Sequence, residues 1–319
     1  MENFIAIGVY LVIGLLLQRV SQFPQNTGQV LNAYVIYVSL PALVLAKVPS
    51  LRFSSDLIIP ALLPWLLMGL MLPFIWWFAR WRGWSRATTG ALLIIIPLGN
   101  TSFVGFPMIE AFFGTAGIPV AVLYDQLGSF LGLAIVGTII ATLFSYEHHS
   151  HGASAEGAEP QRPKASQIVR KIVFFPPFIA LILALATRSL QWPAAVDQII
   201  GSLAGTLVPV IMVAVGYQLK FRLPQHERGP LVFALATKLF LMPLIAVPLL
   251  WWFGFDSLVT QVSLMEAAMP SMISAGALAI MAGLAPTLAA AIIGYGVILC
   301  FVTLPIWFWL LQALQQLTA

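Results

Sequence analysis

Residues 91–112 read ALLIIIPLGNTSFVGFPMIEAF, and the reading of this stretch decides the fold. Its flanks are apolar enough for lipid, yet the interval from Pro97 to Pro107 holds Gly99, Asn100, Thr101, Ser102 and Gly105. A proline inside a helix costs about 3 kcal/mol and frees a carbonyl, and a glycine costs about 1 kcal/mol. Such a segment is expected to break the helix. Broken backbone at membrane depth is tolerated only where protein buries it or it lines a cavity. Residues 262–283, VSLMEAAMPSMISAGALAIMAG, carry a matching interruption at Pro270, followed by Ser271, Ser274 and Gly276. Interrupted spans at corresponding places in two halves of a chain point to a transporter's binding site.

The composition places the whole chain in lipid. Fifteen Lys and Arg with eleven Asp and Glu make up 8% of 319 residues, where a soluble chain carries about a quarter. Sixty percent of the chain is apolar, with a mean hydropathy of +0.96. A water-soluble enzyme, a nucleic-acid module and a disordered regulator are thereby excluded, and the scattered bases form no nucleic-acid footprint. The single cysteine, Cys300, supports neither a disulfide framework nor a cysteine metal site.

A bilayer span needs about 20 apolar residues, and ten windows qualify: 3–20, 28–48, 56–79, 87–113, 117–144, 168–187, 194–218, 229–253, 257–283 and 286–314. The first has no basic flank or cleavage site and is expected to be a retained span. The polar stretch 145–167 divides the chain into five spans (1–144) and five (168–319). Placing both termini outside puts eleven of the fifteen bases in inward connections (Arg19; Arg80, Arg82, Arg86; Arg162, Lys164, Arg170, Lys171; Lys220, Arg222, Arg228) and only Lys47, Arg52 and Arg188 outward. The 145–167 linker is then cytoplasmic. Five spans per half invert one half relative to the other, as in inverted-repeat transporters. Leu72-Pro73-Phe74-Ile75-Trp76-Trp77-Phe78 and Val247-Pro248-Leu249-Leu250-Trp251-Trp252-Phe253 echo each other at the ends of spans 3 and 8. The fold class expected is all-α, with ten transmembrane helices in two inverted five-helix repeats and crossed broken helices 4 and 9.

Unwound segments expose half-helix N-termini, whose partial positive charge and free N–H groups attract anions. Pro107 suits the first turn of the second half of span 4, and Pro270 is expected to play the same part in span 9. The chemistry favours a carboxylate-bearing substrate where the breaks cross.

Asn100-Thr101-Ser102-Phe103-Val104-Gly105-Phe106-Pro107 resembles the N-T-x-F-x-G-x-P signature of the auxin efflux carrier family, which includes bacterial organic-acid carriers. Leu31-Asn32 with Leu40-Pro41, Pro209 with Gly216, Lys238 with Pro243, and Ala267-Ala268-Met269-Pro270 are similar to further motifs of that family. The resemblance implies a bacterial inner-membrane carrier. It also implies an elevator in which spans 3–5 and 8–10 move against a scaffold of spans 1, 2, 6 and 7. Substrate contacts are then expected at Asn100, Thr101, Ser102, Gly105, Pro107, Asp125, Gln126, Pro270 and Ser271. Glu266, four residues before Pro270, departs from the pattern and is similar to a feature of the sodium-coupled bile-acid symporters, which share the architecture.

Intramembrane charge is costly and functional by default. At 1.5 Å per residue, Lys238, Glu266, Asp125 and Asn100 all fall near the middle of their spans. Two readings of Lys238 and Glu266 stay open at this point. They form a structural ion pair, or Lys238 supports the broken-helix layer while Glu266 or Asp125 binds H⁺ or Na⁺. Glu110 is expected at the outer interface. His148-His149-Ser150-His151 lies in a Gly/Ala/Glu-rich linker with no other ligand spacing, so no metal site is expected. Trp76, Trp77, Trp81, Trp84, Trp251, Trp252, Trp307 and Trp309 read as interface anchors. No G-x-x-x-x-G-K-[ST] or H-E-x-x-H occurs, and an enzyme is not expected. The leading expectation is a secondary carrier of a small organic anion, with a Na⁺-coupled organic-anion symporter as the alternative. No cofactor is called for beyond Na⁺ or H⁺ as a coupling ion. The partners expected are the bilayer and the substrate, with a homodimer left open.

Overall fold

The protein is described here by a computed structural model covering residues 2–51, 54–145, 165–190, 192–221 and 227–318. The histidine tract and most of the 145–167 linker lie outside the described residues, as do Arg52, Arg162, Lys164 and Arg222.

Every element among the described residues is helical, as 60% apolar content without strand alternation requires. In chain order these are α1 (Glu2–Leu17), α2 (Thr27–Ser50), α3 (Ser55–Trp81), α4 (Arg86–Ile95), α5 (101–113), α6 (118–145), α7 (Ala165–Val173), α8 (Pro176–Ala186), α9 (Ala194–Gln218), α10 (Arg228–Trp251), α11 (Leu258–Ala267), α12 (Ile273–Met281) and α13 (Pro286–Thr318). Six helical stretches are long and apolar enough to cross a bilayer: Thr27–Ser50, Ser55–Trp81, Thr101–Ser145, Ala194–Gln218, Arg228–Trp251 and Pro286–Gln316. Shorter apolar helices, Phe4–Leu17, Arg86–Ile95 and Pro176–Ala186, stand beside them. The stretch Thr101–Ser145 is folded back on itself. Gly114, at φ 68°, allows the turn over 114–117 from which α6 returns along α5.

Prolines shape these helices in a recurrent way. Wide π-type turns run over Val35–Ser39, Thr101–Gly105 and Thr237–Leu241, each just before a proline: Pro41, Pro107 and Pro243. Proline lacks an N–H and collides with the carbonyl four residues earlier, and a widened turn moves that carbonyl aside. The unwound part of span 4 is therefore only 96–100, shorter than the expected 97–107 interval. Pro107 does fall in the first α-helical turn, at the start of Phe106–Phe113, but helical backbone already begins at Thr101. Pro270 does not start its half-helix: α12 begins at Ile273 and Pro270 belongs to the unwound segment before it. The expected span 168–187 is likewise split at Phe174-Phe175, ahead of Pro176-Pro177, into α7 and α8.

The helices pack in two groups. The first joins α1 to α9, and α2 to both α8 and α9. A Cβ on Gly14 or Gly216 would collide with the facing backbone at Val213 or Leu11, so these glycines let α1 and α9 touch main chain to main chain. Polar side chains bind the same group: Asn32 Nδ2 donates to Gln218 Oε1 (3.2 Å), and Gln18 Nε2 to the Gly216 carbonyl (2.9 Å). The second group packs α3, α4, α6, α10, α11, α12 and α13 on one another. Contacts across the seam are sparse. One is the Phe130–Phe175 stack, with centroids 4.0 Å apart, which links α6 to the residue preceding α8.

The outer surface is apolar, with Leu, Ile and Val side chains turned outward along α1, α3, α10 and α13, as lipid as solvent demands. Trp76, Trp77, Trp81, Trp251, Trp252 and Trp309 are exposed. Trp307 corrects the expectation for it. It is buried at 6% exposure, and its indole N–H donates to the Leu239 carbonyl (2.8 Å), locking α13 to the wide turn of α10. Trp84 is half-buried, edge-on to Phe78 and Phe233.

Candidate functional site

The two breaks meet. Gly99 and Ser271 form an antiparallel bridge, Asn100 N–H donates to the Pro270 carbonyl (2.7 Å), and Met272 N–H donates to the Leu98 carbonyl (2.9 Å). Backbone groups released by each interruption are thus satisfied by the other, with no water required at that depth. Gly99 is where the two segments leave little space for a side chain. A Cβ there would lie 3.3 Å from Lys238 Nζ and 3.5 Å from the Glu266 carbonyl.

Around this crossing the chain gathers its buried polar residues. Asn100 caps α5: its Oδ1 accepts from Phe103 N–H (3.2 Å), and its carbonyl accepts from Gly105 N–H (2.9 Å). Thr101 Oγ1 donates to Asp125 Oδ1 (2.6 Å), and Gln126 Nε2 donates to Asp125 Oδ2 (2.7 Å). Ser102, half-buried, also faces the Asp125 carboxylate. Three wide turns carry this chemistry: Thr101–Gly105, Asp125–Phe130 and Thr237–Leu241, the last presenting Lys238. Wide turns inside α-helices recur at functional sites because they re-aim side chains and free carbonyls.

Glu266 has no exposed surface, and neither carboxylate oxygen has a hydrogen-bond partner. Its carboxylate lies against Gly105, where a Cβ would come within 2.6 Å of Oε2 and 2.9 Å of Oε1. Lys238 and Asp125 are both near enough for their charges to act on it. Lys238 Nζ and the Glu266 carboxylate form no direct ion pair: Nζ makes its contact with Met242 Sδ at 3.7 Å, while its charge still acts on Glu266. The same buried layer leaves Asn100 Nδ2, Gln126 Oε1 and Ser271 Oγ without partners. Burying one such group costs about 1–3 kcal/mol, and a charge costs more. This concentration marks a place built for something other than packing.

All eleven residues singled out from the sequence fall at or next to the crossing, with Pro107 one turn beyond it on α5. Thr260 and Thr303, buried hydroxyls without partners on α11 and α13, escaped notice because isolated threonines are ordinary in apolar helices.

Two cavities flank the crossing along the seam. One, of about 350 Å³, is lined by Tyr10, Leu43, Lys47, Pro107, Glu110 and Pro209 among others. The second, of about 290 Å³, is lined by Gln29, Gln218, Lys220, Gly276, Ile280 and Gly294 among others. They open at opposite ends of α2, the first against α5 and the second against α12. Asp125, Lys238 and Glu266 line neither, so the charged layer is closed from both sides.

A family model described as "Membrane transport protein" matches residues 1–308. A protein of Methanothermobacter thermautotrophicus described as an uncharacterized transporter is 28% identical over 309 residues, 96% of each chain. Another so described, from Methanocaldococcus jannaschii, is 22% identical over 284 residues, 85% of each.

Proposed function

Because the chain belongs to the membrane transport protein family, the auxin efflux carrier family, we propose that it is a secondary carrier moving an organic carboxylate anion by an elevator-type alternating-access mechanism. The observation that carries this reading is the pairing of 98–100 with 270–272 inside a closed polar layer. In it, ten spans form two inverted repeats, 1–144 and 168–319, with both termini outside, the linker cytoplasmic and the chain in the cell's inner membrane. The group α1, α2, α8 and α9 is the scaffold, and α3–α6 with α10–α13 is the moving body. The segregated packing of the helices supports that division, and the cavities at opposite ends of the seam support access from either side in turn.

The substrate carboxylate meets the Thr101 and Ser102 end of α5, where backbone N–H groups and the helix dipole favour negative charge. Asn100 and Ser271 offer Nδ2 and Oγ as further contacts. Asp125 is held by Thr101 and Gln126, so it positions both rather than competing for the substrate. The test is counterflow in proteoliposomes with small dicarboxylates, 2-oxo acids and indole acids, with and without Na⁺, at two pH values. Saturable exchange of a carboxylate is expected. No binding or exchange of any carboxylate refutes the reading.

A Na⁺- or H⁺-coupled symporter is the second reading, favoured by the unpartnered Glu266 carboxylate. An uncompensated buried charge is expensive, and a bound cation or proton removes the expense. Transport by the Glu266→Gln variant with unchanged Na⁺ and pH dependence would eliminate Glu266 as the coupling site.

A further inference from the structure

The cavity between α1, α2, α5 and α9 contains two opposite charges that do not meet. Lys47 comes from the last turns of α2, and Glu110 from α5, three residues after Pro107 on the same helix face. Neither charged group hydrogen-bonds or ion-pairs with any described residue. The one other side-chain polar atom on the wall is the Tyr10 hydroxyl, and the rest is apolar or small, including Leu43, Ala46, Gly205 and Val208.

We propose that this cavity binds a small zwitterionic amino carboxylate, its ammonium at Glu110 and its carboxylate at Lys47. A simple carboxylate anion in so small a space would bring like charge against Glu110, and a simple amine would bring like charge against Lys47. A zwitterion answers both, and the apolar remainder of the wall accepts an aliphatic side chain. At about 350 Å³ the cavity lies at the small end of ligand pockets, which suits a single amino acid and excludes a long peptide. The inference rests on the carrier reading, with this cavity as the place where the substrate is first held before its carboxylate passes to the Thr101 and Ser102 end of α5. It narrows the substrate from carboxylates in general to those with an ammonium group. It also gives the motion a release step. Lys47 stays with the scaffold while Glu110 travels with α5, so sliding parts the two charges and the substrate is held at both ends in one position only.

The test uses the full-length protein in lipid nanodiscs and three matched probes: L-leucine, 4-methylpentanoate (leucine without its amine) and 3-methylbutylamine (leucine without its carboxylate), with L-alanine as the smaller homologue. At least one of the two amino acids is expected to bind ten-fold or more tighter than both truncated probes. Glu110→Gln should abolish its advantage over 4-methylpentanoate, and Lys47→Gln its advantage over 3-methylbutylamine. The wild-type comparison alone decides the matter if a variant fails to fold. Equal or tighter binding of 4-methylpentanoate overturns the inference and leaves the carrier reading standing. The same holds if dicarboxylates or 2-oxo acids exchange and neither amino acid binds. If no carboxylate of any kind binds or exchanges, both fail.

Discussion

Replacing Gly105 by alanine tests the contact on which the buried carboxylate depends. A Cβ at this position lies 2.6 Å from Glu266 Oε2 and 2.9 Å from Oε1. Relaxed carbon–oxygen approach begins at about 3.3 Å, so the carboxylate must withdraw by ~0.7 Å. In an open site that would be trivial, but Glu266 has no exposed surface, so its carboxylate moves only by displacing packed neighbours. Overpacking of this kind costs about 1–3 kcal/mol, which corresponds to roughly five- to 150-fold in any affinity that needs the carboxylate in place. Thermal unfolding can be followed through Cys300, the protein's one cysteine, which is fully buried on α13 and meets a thiol-reactive dye only on unfolding. Gly105→Ala should unfold at lower temperature than wild type. The same substitution in a Glu266→Ala background should be almost free, because the double-mutant cycle isolates the contact itself. Unfolding of Gly105→Ala at the wild-type temperature, or an equal loss in both backgrounds, would refute the reasoning.

Thr101→Val removes the 2.6 Å hydrogen bond to Asp125. Bonds to charged groups contribute about 1.5–3 kcal/mol, so exchange in proteoliposomes should fall by an order of magnitude or more, with Thr101→Ser near wild type. Gly216→Leu drives a side chain into the α1 backbone and should abolish a monodisperse peak in size-exclusion chromatography. Phe175→Ala dissolves the stack with Phe130; such pairs contribute about 0.5–1.5 kcal/mol, and single-turnover exchange should accelerate two- to ten-fold if the seam slides. For orientation, a cysteine at exposed Trp81 should react with an impermeant maleimide only after permeabilisation, and one at exposed Ser50 directly.

Membrane character was legible because hydropathy is averaged over some twenty residues, and 60% apolar content overwhelms local noise. The breaks were legible because proline and glycine act on the backbone of their own neighbourhood, wherever the chain goes next. Extent was another matter. Pro107 looks like part of the interruption in sequence, but a wide turn over Thr101–Gly105 absorbs its missing N–H and keeps the helix going. Pro270 reads as a helix start, yet its carbonyl is needed by Asn100, about 170 positions away, and no local rule contains that requirement. The depth of Lys238 and Glu266 followed from counting at 1.5 Å per residue. Whether they touch depended on helix rotation, which counting does not supply, and Lys238 turns toward Met242. Trp307 stands near a span end like the exposed tryptophans, and only the packing of α13 on α10 takes it inward.

The crossing of the two interruptions is written almost entirely in main chain. Its bonds run from Asn100 N–H to the Pro270 carbonyl and from Met272 N–H to the Leu98 carbonyl, and neither bond needs a particular side chain. Substitutions around the joint can therefore accumulate without undoing it, provided Gly99 stays small. An architecture held this way lets its solute preference be rewritten while its core geometry persists. That separation of scaffold from selectivity leaves the joint compatible with wide sequence change, such as the 22–28% identity between this chain and the two transporters it is similar to.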